Sequence, residues 1–376
     1  MSLADLHGKK ILLKCDFNIP NLKSVERIEA AMATILELYN QQNTLIIVTH
    51  WGRPEGQVMP EWSTQKMLPV LQTICEAHGV NTEIKWMNQW AKGFEYLQDQ
   101  ISRLPSKSIV LLENTRFCPD EEGGDFDKRK ILAEQYASLA EVIVDEAFSL
   151  SHRHEVTNTD IKLILPSEFG LQFEKEKMML SQVKNHPKKP LVYLLGGAKL
   201  ETKLPLVLRV IDQVDALVVG GQLCFTFLVA ARNLGLAPYQ NVDIGSSLVE
   251  QSFLEKASAL LEKYGDKIVL PIDFVYDTND SGARYAADIG PETIRLFEEK
   301  LKSAATIFWN GPMGRLEKKP FDTGTCEIAQ YLATLGESVF VCVGGGDTVA
   351  GLPQDTVDKF GFVSTGGGAS LAFLAG

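Results

Sequence analysis

Residues 44–56 read TLIIVTHWGRPEG. The opening TLIIV is apolar and β-branched, which is typical of a strand buried inside a parallel sheet. The strand pattern stops at His50, and a turn through Gly52 leads at once to Arg53. A buried strand that ends on a histidine and an arginine indicates that its carboxyl end borders a site for an anionic ligand.

The arrangement recurs along the chain as a short apolar strand, a polar or glycine-rich turn, and then a helical pattern. Strands are predicted at 10–17, 44–50, 82–87, 109–114, 141–148, 190–197, 216–221, 268–277, 306–312, 339–347 and 362–365. Helices are predicted at 25–42, 246–265 and 291–304. Nearly all-apolar strands alternating with helices predict an α/β fold with two doubly wound parallel-sheet domains, each sheet covered on both faces.

A charged amphipathic segment near 165–190 separates the two halves of this pattern. The predicted organisation is an α/β domain over 1–166, an interdomain helix with a hinge over 167–186, and a second α/β domain over 187–376. The last residues of the second domain could return to the first. A chain of 376 residues is long enough for two hydrophobic cores of this kind.

Composition and charge restrict the class of partner. The chain has 37 Lys and Arg against 48 Asp and Glu, a net charge of −11, which argues against nucleic acid or an anionic membrane. No apolar run is long enough to cross a bilayer. The six cysteines stand singly, most of them in apolar runs, as expected for buried thiols in a reducing compartment. We therefore expect a cytoplasmic protein.

The strand ends of the first half carry polar and basic side chains. Ligands of open parallel sheets bind beyond the carboxyl ends of the strands. These ends present Asp16, Asn18, His50, Arg53, Arg116, His152 and Arg153, and Arg27 opens the first helix. Each arginine could simply pair with a surface carboxylate. Their recurrence at successive strand ends instead predicts a small, hydroxylated ligand with several negative charges.

The strand ends of the second half carry glycines instead. In GGAKLETK (196–203), Lys199 and Lys203 are four residues apart on one helix face near its start, a pattern that favours phosphate binding, although a solvated lysine face is an equal alternative. In GGGDTVAG (344–351), Asp347 is either a helix cap or a Mg²⁺ ligand. Glu317 is a candidate partner for ribose hydroxyls.

No Ser-His-Asp or Cys-His arrangement is evident, and no paired carboxylates occupy the arginine-rich half. A substrate carboxylate is already ionised at pH 7 and needs no general base to act as a nucleophile. Phosphoryl transfer can proceed by alignment and charge stabilisation alone. If the nucleophile is the ligand's own carboxylate, these residues are compatible with phosphoryl transfer without a protein base.

The motifs follow one another in an order that resembles the phosphoglycerate kinase family. They are DFNIP, THWGRP, LLENTRF, DEAF with SHR, LGGAKLETK, GGQLCFTFL, LPIDFV, WNGPMG, GGGDT and VSTGGGAS. The resemblance extends over nearly the whole chain. It implies a glycolytic transferase, a kinase that exchanges a phosphoryl group reversibly between 1,3-bisphosphoglycerate with ADP and 3-phosphoglycerate with ATP.

The resemblance also implies roles for individual residues. The substrate-binding residues would be Asp16, Asn18, Arg27, His50, Arg53, Arg116, His152 and Arg153. The nucleotide-binding residues would be Lys199, Lys203, Gly221, Gly290, Asn310, Glu317, Gly344, Gly345, Gly346, Asp347 and Thr348. The catalytic groups would be Arg27, Lys203, Gly345 and Gly367, with Asp347 holding Mg²⁺ beside ATP or ADP, and backbone amides of Gly366 and Gly367 would also cradle phosphates. A monomer that acts on small molecules, without nucleic acid or membrane, is expected.

Several positions depart from the family pattern. The turn before Arg27 is shorter, and Glu155 replaces a histidine. Gln222 and Arg315 alter the expected surroundings of the nucleotide base. These departures leave two other interpretations open: a non-catalytic relative that binds nucleotide or anions, and an ATP-dependent kinase of another small carboxylic acid.

Overall fold

The structure, a computed structural model, describes residues 2–19 and 21–376. Met1 and Pro20, the last residue of the DFNIP motif, lie outside the described residues. The chain divides into two compact units, Met1–Lys177 and Met178–Gly376, here called the N-terminal and C-terminal units. No helix in the described part of the chain has both the length and the apolar character needed to span a membrane.

The N-terminal unit is built on one parallel sheet. Its strands are β1 (Lys10–Lys14), β2 (Thr44–Val48), β3 (Ile84–Met87), β4 (Ile109–Leu112), β5 (Val142–Asp145) and β6 (Ser167–Phe169). Its helices are α1 (Glu26–Asn40), α2 (Leu68–Ala77), α3 (Gln89–Lys92), α4 (Phe94–Ser102) and α5 (Phe126–Ala137), and α6 (Leu171–Asn185) leaves the unit. The strand order is β3-β4-β2-β1-β5-β6, so the order reverses between β1 and β5.

Alternate residues of each strand face opposite sides of this sheet, and both sides are covered. Leu13 of β1 belongs to a core that includes Met32 of α1 and Leu71 of α2. Leu12 faces the other way, into a core that includes Leu97 of α4 and Leu132 of α5. Burial on both faces explains why the strands are apolar almost without interruption.

The C-terminal unit repeats the design. Its strands are β7 (Leu191–Leu195), β8 (Ala216–Val219), β9 (Ile268–Val269), β10 (Phe274–Thr278), β11 (Arg284–Ile289), β12 (Thr306–Asn310), β13 (Phe340–Gly344) and β14 (Phe362–Ser364). Its helices are α7 (Leu200–Val210), α8 (Cys224–Asn233), α9 (Leu254–Tyr264), α10 (Pro291–Leu301), α11 (Thr323–Thr334), α12 (Gly346–Val349), α13 (Gln354–Val357) and α14 (Gly367–Ala375). The parallel sheet has the order β14-β13-β12-β7-β8-β9, and β10 pairs with β11 in an antiparallel hairpin.

The predicted strand at 268–277 is wrong as a single element. It divides into β9, in the parallel sheet, and β10, in the hairpin. Pro271 lies between them, and the Asp273 carboxylate accepts hydrogen bonds at the start of α10 from the amide of Thr293. The prediction joined two strands because apolar residues, Leu270 and Ile272 among them, continue into the break.

Two predicted helices also differ from the structure. The helix expected over 246–265 begins only at Leu254, because the side chains of Ser246 and Ser247 pair with the strand β11 region instead. The segment 167–186, expected to be helical throughout, starts with β6, which pairs with the edge of β5, before α6 begins at Leu171. Phe173 of α6 packs against Phe169 with ring centroids 4.2 Å apart.

Candidate functional site

The carboxyl edge of the N-terminal sheet brings Asp16, Arg27 and Ser149 together. The Asp16 carboxylate accepts hydrogen bonds from the Arg27 guanidinium and the Ser149 hydroxyl, and its other oxygen accepts one from the amide of Asn18 at 3.1 Å. Burial opposes ionisation of Asp16, yet the Arg27 charge and these hydrogen bonds hold its pKa below the ordinary value. The shortened turn therefore still delivers Arg27, whose side chain is 35% exposed, to the end of β1.

The turn after β2 is fixed by contacts to the same edge. The Asn18 side-chain oxygen accepts a hydrogen bond from the amide of Gly52 at 3.0 Å. Gly52 has a φ of +67°, and a Cβ there would lie 2.4 Å from the ring of Trp62. Only glycine satisfies both the backbone conformation and the close contact. This turn leaves Arg53 exposed to solvent.

His50 is buried and uncharged. Its side chain is 1% exposed, and its Nδ1 atom has no hydrogen-bond partner. Burial lowers the pKa of His50 to about 3, with the nearby charge of Arg116 acting in the same direction. The sequence predicted a basic side chain here, but at neutral pH the imidazole can offer only one donor and one acceptor nitrogen.

Arg116 follows β4 and lies almost entirely inside the unit, with 3% of its side chain exposed. Its Nη2 atom donates to Glu155 at 2.7 Å, and its Nη1 atom donates to the carbonyl of Gly52 at 3.3 Å. The Nε–H group of Arg116 is buried without a partner. Since a guanidinium nitrogen can only donate, this group is available to an oxygen of a ligand.

A buried ionic network below Arg116 was not predicted from the sequence. Lys14, which is fully buried at the end of β1, contacts Glu155 at 3.1 Å and Glu121 at 3.7 Å. It also donates to the Thr157 hydroxyl at 2.5 Å. The one available signal was Lys14, which directly follows the apolar residues 11–13 of KILLKCDF and requires a charged partner if the strand is buried.

The pKa values of the network follow from its composition. Burial alone would raise the pKa of Glu155, but the charges of Lys14 and Arg116 lower it to about 2. Burial raises the pKa of Glu121, and the neighbouring Glu155 charge adds to this shift. Burial opposes the charge of Lys14, yet the two carboxylates raise its pKa above the ordinary value.

His152 and Arg153 are exposed at the rim of the same edge. Partial desolvation of the ring and the adjacent Arg153 charge lower the pKa of His152. Arg153 lies 3.7 Å from the carboxylate of Glu122, which also lies 2.6 Å from Nη2 of Arg116. The rim arginine and the buried arginine are therefore linked through one carboxylate.

In the C-terminal unit, glycines allow the ends of β7 and β12 to approach closely. The amide of Gly197 donates to the carbonyl of Pro312 at 2.8 Å. A Cβ on Gly196 would lie 2.2 Å from that same carbonyl oxygen, and one on Gly221 would lie 2.5 Å from the Gly197 nitrogen. The order of this sheet reverses between β7 and β12, which is where open α/β sheets bind ligands.

Lys203 lies within α7 and is 8% exposed. Its ammonium group donates to the side-chain oxygen of Asn310, whose amide donates to the carbonyl of Gly344. Burial lowers the pKa of Lys203 to about 8, against the opposing attraction of Asp347. Lys199, at the residue before α7, is exposed.

The ends of β13 and β14 touch through glycines. Gly345 has a φ of +103°, and a Cβ there would lie 2.5 Å from the Cα of Gly367. The amide of Gly366 donates to the Ser364 hydroxyl at 3.2 Å, and the amide of Gly311 donates to the Thr348 hydroxyl at 3.0 Å. Gly346 faces open space beside this contact, since a Cβ there would meet nothing within 4 Å.

A cavity of about 510 Å³ lies beside these strand ends in the C-terminal unit. Its walls include two predicted nucleoside residues, Gly221 and Glu317. Gly290 packs against Asp273 at the start of α10, outside this lining, and Asn310 lies with Lys203. Gln222 and Arg315, which were expected near the base, also line it. Other walls were not predicted from the sequence; they include Phe225, Ser246, Leu248, Phe274, Tyr285 and Met313.

Arg315, a departure from the family pattern, is tied to one wall of this cavity. Its Nη1 atom donates to the Tyr285 hydroxyl at 2.5 Å and lies 3.7 Å from Asp277. Its Nε atom donates to Glu317 at 3.2 Å, so the carboxylate expected to bind ribose already has a partner. Gln222, the other departure, also lines the cavity.

No cluster of three or more acidic, histidine or cysteine side chains suited to a metal occurs among residues 2–19 and 21–376. Asp347 is exposed at the start of α12, close enough to Lys203 to affect its pKa. A single exposed carboxylate fits Mg²⁺ carried on nucleotide phosphates, because Mg²⁺ commonly takes one or two protein carboxylates and completes its shell with phosphate oxygens and water.

The fold and these two edges define a class of protein: a two-unit α/β phosphotransferase with an arginine-bearing edge and a glycine-bearing edge. Comparison with known proteins identifies the family. The family model described as Phosphoglycerate kinase matches residues 1–376. The chain belongs to the phosphoglycerate kinase family, whose members are kinases.

Individual relatives agree with this assignment. A phosphoglycerate kinase of Bifidobacterium longum is 36% identical over 406 aligned residues, covering 100% of this chain and 96% of the relative. One of Finegoldia magna is 34% identical with the same coverage. The solved phosphoglycerate kinases of Coxiella burnetii and Pyrococcus horikoshii match with TM-scores of 0.80 and 0.81 at 30% and 26% identity. They cover 100% and 99% of this chain and are themselves covered to 96% and 94%. The predicted α/β fold with two parallel sheets is confirmed.

Proposed function

We propose that this chain transfers a phosphoryl group reversibly between ATP and the carboxylate of 3-phosphoglycerate, and that in glycolysis it forms ATP from 1,3-bisphosphoglycerate and ADP. The observation that carries the proposal is the family match over residues 1–376. The separation of the polar side chains into one unit and the glycine-lined strand ends into the other supports it.

The N-terminal unit is the proposed binding unit for 3-phosphoglycerate. Arg53 and Arg153 supply exposed cationic groups, and Arg116 supplies its unpartnered Nε–H. Asp16, Asn18 and the neutral His50 offer hydrogen-bonding atoms for hydroxyl and carboxylate groups. Arg27 is assigned to the transferring phosphoryl group, and His152 to the rim of the site.

The C-terminal unit is the proposed binding unit for the nucleotide. The cavity near Gly221 and Glu317 has the volume for a nucleoside. Lys199, Thr348 and the glycine backbone at 344–346 and 367 are assigned to the phosphates. The amide of Gly366, expected to join them, instead donates to the Ser364 hydroxyl. Mg²⁺, held by Asp347 and the phosphates, would neutralise phosphate charge when bound.

The proposed reaction needs no protein base. The ionised carboxylate of 3-phosphoglycerate forms a bond to the γ-phosphorus of ATP while the bond to the bridging oxygen of ADP breaks. Lys203, protonated below its pKa of about 8, stabilises the negative charge on the group in transfer. The amides of Gly345 and Gly367 are assigned to the same task.

A coupled assay tests this function. Purified protein with ATP, Mg²⁺ and 3-phosphoglycerate should release ADP, and glycerate, 2-phosphoglycerate and acetate should give less than about one hundredth of that rate. Faster turnover of another acid would identify a kinase of different specificity. Nucleotide binding by calorimetry without turnover of any acid would identify a non-catalytic relative.

The proposed setting is a cytoplasmic monomer. The net charge of −11 supports the absence of a nucleic-acid or anionic-membrane partner. Light scattering should give a mass near 41.6 kDa at every concentration tested. A mass that rises with concentration would contradict the monomer.

A further inference from the structure

Glu122 lies between Arg116 and Arg153, two arginines of the candidate site in the N-terminal unit. The same oxygen, Oε1, lies 2.6 Å from Nη2 of Arg116 and 3.7 Å from Nη1 of Arg153. Arg116 is 3% exposed, whereas the side chains of Arg153 and Glu122 are 41% and 45% exposed. One carboxylate thus bridges a buried cation and a rim cation, as an oxygen of an anionic ligand would.

Glu155 and Glu122 both contact Nη2 of Arg116, but they differ in burial and in their other contacts. Glu155 accepts a hydrogen bond from it at 2.7 Å, is 1% exposed, and is fixed from below by Lys14. Glu122 makes ion pairs and is reached by solvent. Because Glu122 is 45% exposed and regains water when it leaves, displacing it costs less than displacing the buried Glu155.

Departure of Glu122 makes this cluster more positive. The cations are Lys14, Arg116 and Arg153, and the acidic groups are the three glutamates Glu121, Glu122 and Glu155. An anionic ligand added beside Glu122 would meet the repulsion of its carboxylate. Removal of Glu122 to solvent adds one positive charge to the cluster, which favours an incoming anion.

Two buried atoms at this edge lack hydrogen-bond partners that a ligand could supply. Nε of Arg116 and Nδ1 of His50 are both buried without a hydrogen-bond partner. A buried guanidinium donor without an acceptor is costly unless a bound ligand supplies one. Glu122 reaches Nη2 but leaves Nε unsatisfied, so it substitutes for the ligand incompletely.

We propose that Glu122 sets the affinity of the N-terminal site by competing with the substrate. Its carboxylate lies between Arg116 and Arg153 in the empty site and leaves when an anionic group of the substrate enters. This inference rests on the proposed function, in which the N-terminal unit binds phosphoglycerate. It assigns a role to a residue that the sequence motifs did not single out.

The test compares Glu122→Gln with the wild type at saturating ATP. Removing the competing charge should lower KM for 3-phosphoglycerate about threefold to tenfold at low ionic strength, with kcat changed less than about twofold. Added salt should shrink the difference, because it screens exposed charges. Glu122→Asp, which retains the charge, should keep KM closer to that of the wild type.

Glu95→Gln is the matched control, since Glu95 is an exposed residue of α4 and its substitution changes the net charge equally. A KM lowered to the same extent in both variants would assign the effect to overall charge and overturn the proposal. An unchanged or raised KM in Glu122→Gln, or a parallel fall in kcat, would also overturn it.

Binding of inorganic phosphate, measured by calorimetry, separates this inference from the proposed function. If the wild type does not phosphorylate 3-phosphoglycerate, the proposed function fails, yet Glu122→Gln should still bind phosphate about threefold more tightly. If the wild type is active and phosphate affinity is equal in both proteins, the role of Glu122 is refuted while the function stands.

Discussion

The carboxyl edges of the two sheets present opposite kinds of surface. In the N-terminal unit, Arg27 is paired with Asp16 and Arg116 with Glu155, so carboxylates of the protein hold both guanidinium groups in position. In the C-terminal unit, Gly345 and Gly367 lie in contact and the edge offers backbone. A site made of charged side chains needs compensating charges, whereas a site made of amides needs only close packing.

The largest effect of a single substitution on activity is expected at Lys203, the buried lysine of the glycine-bearing edge that we assign to catalysis. Lys203→Ala should lower kcat about 100-fold to 1000-fold, because the lost charge acts on the transition state. KM for ATP should rise less than tenfold. Steady-state kinetics with Lys199→Ala in parallel should show a smaller fall in kcat at this exposed lysine. Equal effects at both positions would remove the special role of Lys203.

Substitutions at the arginine-bearing edge should lower the free energy of unfolding more than substitutions at the glycine-bearing edge. Glu155→Gln leaves Lys14 and Arg116 buried with one carboxylate fewer, and breaking a buried ion pair costs about 3–5 kcal/mol of unfolding free energy. Urea unfolding followed by circular dichroism measures this loss. Glu122→Gln is the comparison and should cost less than Glu155→Gln, because Glu122 is 45% exposed and Glu155 is 1% exposed. A stable Glu155→Gln protein would show that the network does not hold this edge together.

The pH dependence of the two edges should differ as well. Lys203 has a pKa lowered to about 8, so its charge is present below that pH and is lost above it. The value of kcat/KM for ATP should therefore fall about tenfold per pH unit above pH 8, since this parameter reports the free enzyme. Lys203→Arg, which stays charged, should remove that limb. A limb that persists in this variant would belong to another group.

The smallest effect is expected at the wall of the nucleotide cavity. Arg315→Val removes the partner of Glu317 and replaces a charged side chain in the cavity wall with an apolar one. The ratio of kcat/KM for ATP to that for GTP should rise about threefold. Competition kinetics with both nucleotides measures the ratio, and Lys318→Val, at a neighbouring exposed lysine, serves as the control. No change in the ratio would show that Arg315 does not contact the base.

Much of the fold was predictable because a strand that is buried on both faces of its sheet has an almost entirely apolar sequence. Strands such as TLIIV are continuous apolar runs, and their polar ends mark the edge where ligands bind. The same simplicity caused the error at 268–277, where Pro271 was the signal for a break. The hairpin of β10 and β11 was missed because its first strand was merged with β9.

The positions of the candidate site residues were predictable from the sequence, but their charge states and their ion-pair partners were not. Asp16 and Arg27 do meet, as their shared edge implied. The sequence could not indicate that His50 is neutral, because burial alone sets that property. Nor could it pair Lys14 with Glu155, which lies 141 residues away along the chain.

That separation has a consequence for how the N-terminal unit assembles. Lys14 is the last residue of the first strand, yet Glu155, the nearer of its two carboxylate partners, arrives only with residue 155. A partly assembled sheet that buried β1 without this segment would enclose the Lys14 ammonium group beside Glu121 alone, at a cost in free energy. Intermediates of that kind are therefore disfavoured, and the first 160 or so residues should gain and lose their structure in a single concerted transition.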